Sequence, residues 1–186
     1  MSDGPFPHRL LLIAAIFYTP MLAGLFFLRA PGLLRVDDWT RLAFGLTVAC
    51  GGSAGVVALS RWSSRHTGWG MRLHEEFRTV LGALTSREIL LLSLLSAFGE
   101  EILFRGVLHP RLGLWPTALL FGFFHFPYRR WLLPWTGFAL VLGVSMGLLT
   151  DWFGSLWPAL LLHFMVNYFN LHDLARPHAD NSTDRA

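Results

Sequence analysis

One cysteine, no lysine and few charges of either sign set the first limits on this chain. The lone Cys50 excludes an internal disulfide and a thiolate metal cluster, and it reads as packing in an apolar helix. All 15 basic residues are arginine, a bias that points to a GC-rich genome rather than to chemistry. No HExxH zinc-protease pattern occurs. Charged residues make up 15% of the 186, against about a quarter in soluble domains. With 53% hydrophobic residues, that deficit argues against an ordinary soluble domain. Apart from Arg105, the basic residues lie between the apolar stretches, so the expected partner is a lipid bilayer and not a nucleic acid.

What is present instead is a series of long apolar stretches. Leu10–Leu28 and Leu42–Ser60 hold no charged residue, and each is about long enough to cross a ~30 Å hydrocarbon core. Further stretches run over Ile89–Leu108, Leu112–Phe126 (short, with Pro116), Pro134–Thr150 and Ser155–Leu171. The predicted fold class is therefore all-α: a polytopic transmembrane bundle of about six spans around a polar cavity, one domain over 1–186. More spans follow the first, so it is expected to be retained and not cleaved as a signal peptide. Met71–Leu84 has apolar residues spaced for a helix lying on the membrane surface or packed on the bundle. The polar tail 176–186 is expected to be disordered. Alternating the loops puts ten arginines on the side of both termini and four on the other, so both termini are expected in the cytoplasm.

Three groups of residues are polar where polarity is costly. A charge at a helix centre in a bilayer costs about 2.5–3.5 kcal/mol on insertion scales, and the third span carries Glu100, Glu101 and Arg105. Glu101 and Arg105 are four apart and share a helix face, which offsets part of that cost. Glu100 points about 100° away, with no evident local partner. The second group is Phe121 and His125, one turn apart in the fourth span, with Phe121 expected to be a pocket wall. The third is His163 and Asn167, again on one face. Structural alternatives exist for each: an ion-pair lock, a packed histidine, and polar glue between helices. Depth favours one site. At 1.5 Å per residue, Glu100, His125 and His163 lie about 16, 10 and 18 Å from the cytoplasmic side, all near mid-core.

The ordered set EExxxR, FxxxH and HxxxN, spread over successive apolar segments from Arg87 to Asn167, resembles the CAAX protease and bacteriocin-processing family, which includes the type II CAAX prenyl proteases. The motif-bearing core is thus expected within residues 87–171. The resemblance implies an intramembrane endopeptidase that hydrolyses a peptide or protein-tail substrate by water, with no acyl-enzyme. In that reading Glu100 is the general base and shares the attacking water with His125. His163 and Asn167 stabilise the oxyanion, and Arg105 orients and charge-balances Glu100 and Glu101. Ser93, Ser96 and Ser145 lie in spans, and nothing in the sequence places them beside a base.

No cofactor is expected. The alternative is a zinc or other divalent ion on Glu100, His125 and His163, with Glu101 as base. Two further readings compete with the protease: a non-catalytic immunity or scaffold protein, and a small proton-coupled transporter. The expected location is a bacterial inner membrane.

Overall fold

A computed structural model describes residues 11, 12, 14, 15, 18, 19, 21–23, 34–125, 130 and 133–176 of the chain. The described parts of 11–23 are helical, but most of the predicted end of the first span, the Pro127–Trp131 loop apart from Arg130, and residues 177–186 of the tail lie outside the described residues. The described remainder forms helices without a β-strand.

Helix α1 spans Trp39–His66, started by Asp38, whose carboxylate accepts from the backbone N–H groups of Thr40 and Arg41 at 2.8 and 3.0 Å. Thr67 both ends α1 and caps α2 (Gly68–Leu81), its hydroxyl accepting from Gly70 N at 3.1 Å. The corner is tight: a Cβ at Gly70 would collide with the backbone of Ser63. Helix α2 stops at Gly82, where φ is +66°. A reciprocal Thr85–Glu88 capping box then starts α3, Ser86–Glu101. The chain continues without a break as a π-helical segment, Ile102–Leu108, and a last turn, His109–Leu112, ended by Gly113 at φ +80°. Helices α4 (Leu114–Phe124), α5 (Leu133–Phe153) and α6 (Trp157–Ala175) complete the bundle.

Side-chain pairs fix the directions. Ser53 Oγ meets Met165 Sδ at 3.4 Å and Arg61 pairs with Asp173, so α1 and α6 run parallel. Ser96 meets Asn167 and Glu101 meets His163, so α3 and α6 are antiparallel. Gly122 packs on Leu140 and Gly143 on Ala118, so α4 and α5 are antiparallel too. Arg105 meets the Gly143 carbonyl and His109 meets Asp151, so the continuation of α3 runs parallel to α5; α1, α4 and α6 thus run one way, and α3 and α5 the other. Ala49, Ala97 and Ala159 are fully covered where helices meet, the small-residue packing expected of helices in lipid. One apolar core joins Ala49, Phe104, Phe121, Met146, Leu162 and Val166.

Two helices, Trp39–His66 and Leu133–Phe153, are individually long and apolar enough to cross a membrane, and a third crossing arises if α2 and Ser86–Leu112, bent by 106°, are taken together. Length and composition therefore assign two to three crossings among the described residues, against the six stretches expected. The reasons are local. Helix α4 has 11 residues, a rise of about 16 Å, roughly half the core. Helix α6 has 19, but His163, Asn167, Asn170, His172 and Asp173 reduce its hydropathy. The helix predicted over Met71–Leu84 ends at Leu81, and its Leu73, Phe77 and Leu81 line a cavity while Met71 and Val80 are exposed.

Candidate active site

The cavity, of about 620 Å³, lies between α1, α3, α4, α5 and α6, with α2 across one end. Phe77 of α2 meets Trp135 of α5 edge-to-face at 5.3 Å, closing part of that end. Glu100, His125, His163, Asn167 and Phe121 all line it, so the three sequence motifs converge on one space.

The third-helix charges divide into two sets. Glu101 and Arg105 are completely buried. Glu101 Oε1 accepts from Arg105 Nη1 at 2.9 Å and from His163 Nδ1 at 2.7 Å. Arg105 Nη2 donates to the Gly143 carbonyl at 3.0 Å, and its guanidinium lies 4.4 Å from the centre of the Phe121 ring. Arg105 sits in the π-helical segment and not in a regular α-helix. The i→i+5 turn is a departure that sequence periodicity did not predict, and such turns recur at functional sites.

Glu100 is held differently. Its Oε1 accepts from Ser96 Oγ at 3.0 Å and from Tyr18 Oη at 3.1 Å. Of the two glutamates, Arg105 is hydrogen-bonded to Glu101, and Ser96, four residues before Glu100, lies beside Glu100, a placement the sequence did not give. Ser96 Oγ also accepts from Asn167 Nδ2 at 3.0 Å, linking the first and third motifs. The i,i+4 spacing of Ser96 and Glu100 was a legible signal for this contact. Tyr18 had none, because its partner is 82 residues away.

Glu100 Oε2 is buried without a hydrogen-bond partner among the described residues and lies 3.7 Å from His125 Nε2, too far for a direct hydrogen bond. His125 ends α4. Thr136 Oγ1 donates to the His125 carbonyl at 3.2 Å, and His125 Nδ1 donates to the Phe121 carbonyl at 2.7 Å. That bond directs Nε2 toward Glu100 and leaves a lone pair on it in the neutral ring. The Phe121 ring lies 4.5 Å from His125, tilted by 32°, and meets His163 edge-on at 6.1 Å, so it forms a wall between the two histidines.

Among the described residues, no group of three His, Cys, Asp or Glu side chains is placed to hold a metal ion. His163 spends Nδ1 on Glu101, and its Nε2 is not part of that bond.

Apolar helices enclosing a cavity lined by Glu100, His125, His163 and Asn167 define an integral membrane protein with a buried polar centre. The family model described as Type II CAAX prenyl endopeptidase Rce1-like matches residues 83–169, a segment that contains all three motifs. The uncharacterised protein YpbD of Bacillus subtilis (strain 168) is 30% identical over 161 residues, covering 82% of this chain and 80% of YpbD. No solved structure matches the chain. The chain belongs to the Rce1-like CAAX protease family, and at family level it is a membrane endopeptidase of the CAAX-protease type.

Proposed function

We propose that the protein hydrolyses a peptide bond of a membrane-associated protein tail or peptide with a water activated by Glu100, without a metal or other cofactor. The observation that carries this reading is the 3.7 Å gap between Glu100 Oε2 and His125 Nε2, two acceptors facing one cavity. A water between them donates one proton to each, which leaves its lone pair directed at the substrate carbonyl. Glu100 takes the proton as the water attacks and delivers it to the leaving amine.

The developing oxyanion needs donors. Asn167 spends one amide N–H on Ser96 and keeps the other. His163, when doubly protonated, donates Nδ1–H to Glu101 and presents Nε2–H to the cavity. Two carboxylates then face two cations, Arg105 and His163, and the buried centre carries no net charge. Arg105 acts through Glu101, holding the anion that orients His163. Phe121 shapes the wall. We place the arginine-rich end, with α2 and both termini, on the cytoplasmic side of a bacterial inner membrane.

The test is a set of rates measured on the purified protein in lipid vesicles with a prenylated tail peptide, fragments being read by mass spectrometry. Wild type releases a fragment. Glu100→Gln and His125→Asn each slow it about 10²–10⁴-fold, and the double variant is little slower than the worse single one, since both act on one water. Multiplicative losses would mean the two residues act separately. Proton movement without any cleavage would favour a transporter.

A further inference from the structure

We infer that Arg61 is a binding site for the terminal carboxylate of a peptide lying in the cavity, occupied in the resting protein by the carboxylate of Asp173. The inference rests on the reading of the cavity as the peptide site and adds what end of the peptide is recognised.

Arg61 is the one arginine among the described residues lining the cavity. Its Nε and Nη2 reach the two oxygens of Asp173 at 2.5 and 3.2 Å, the two-pronged geometry by which a guanidinium reads a carboxylate. Asp173 has a second cation, Arg176 Nη1 at 3.7 Å. It therefore keeps a counter-charge if it lets Arg61 go, and a single peptide carboxylate can replace it without stranding an anion. The Arg61 side chain is 42% exposed, so the exchange needs no unfolding.

Position agrees with chemistry. Asn167 and Asp173 both line the cavity, six residues apart on α6, a rise of about 9 Å. An extended peptide covers about 3.3–3.6 Å per residue, so a short tail of about two to four residues bridges the reacting centre and Arg61. Arg61 and Asp173 both fall outside the segment 83–169 that carries the family match. The chemistry and the tail-end recognition therefore sit on different parts of the chain.

A structural brace between α1 and α6 is the competing role, and binding separates the two. The experiment measures the affinity of N-acetyl-Leu-Leu-Leu, as free acid and as carboxamide, for the purified full-length protein in micelles, alongside its unfolding midpoint. Wild type is expected to bind the acid about tenfold more tightly than the amide. Arg61→Gln abolishes the difference. Asp173→Asn, which frees Arg61, widens it. An acid preference that survives in Arg61→Gln, or no preference in wild type, overturns the proposal. If Arg61→Gln does not fold, the Asp173→Asn arm decides: an unwidened ratio there overturns the proposal. The readout does not need catalysis. Preferential acid binding by a protein that cleaves no tail peptide would remove the protease reading and keep this site.

Discussion

Arg105→Met should be among the most destabilising single changes in the chain, and its cost should largely depend on Glu101. Arg105 is fully buried, with one bond to Glu101 at 2.9 Å, one to the Gly143 carbonyl at 3.0 Å, and the Phe121 ring 4.4 Å away. Removing it leaves a completely buried carboxylate facing only His163. Breaking such a pair from one side costs about 3–5 kcal/mol. At about 1.4 kcal/mol per decade, that is roughly two to three and a half powers of ten in the folding equilibrium. Glu101→Leu alone should cost a similar amount, because it strands the guanidinium. The double variant removes both charges, so its loss should fall short of the sum by at least about 2 kcal/mol. It should not regain wild-type stability, since His163 Nδ1 loses its acceptor. Reversible unfolding in mixed micelles, titrated with SDS, gives all four values. Losses that add to within about 0.5 kcal/mol would show that the two charges do not depend on each other.

Two smaller changes probe the support of Glu100. Ser96→Ala removes the hydroxyl that donates to Glu100 and accepts from Asn167; kcat should fall about tenfold or more, and stability should fall by about 1.5–3 kcal/mol, the contribution of a hydrogen bond to a charged group, read as a lower unfolding midpoint. Gly99→Ala puts a Cβ 2.8 Å from Tyr18 Cδ1; the ring must move, at a cost of about 1–3 kcal/mol, and tyrosine fluorescence or unfolding in micelles should register the displacement.

The sequence made the helical class and the residues of the polar centre legible for one reason: ionisable residues at apolar positions are expensive, and Glu100, Glu101, Arg105 and His163 stood out against their surroundings. The pairing of Glu101 with Arg105 followed from their spacing. The division of labour between the two glutamates did not, since it depends on which face of α3 meets α6. His163 bonding to Glu101 is a contact across 62 residues, and Tyr18 reaching Glu100 one across 82. Helix periodicity carries no information on either. Nor does it distinguish the π-helical turn at Ile102–Leu108 from an α-helix of the same composition. Length and composition single out two to three crossings among the described residues for a related reason: α4 is apolar but short, and α6 is long enough but carries the polar residues that serve the cavity.

The most direct test of the central claim is the single-turnover rate of Glu100→Gln on bound substrate, measured together with its unfolding midpoint. A general base contributes about 10²–10⁴ in rate, so the account predicts a loss of that size at nearly wild-type stability and substrate affinity. Cleavage by folded Glu100→Gln at the wild-type rate would contradict it.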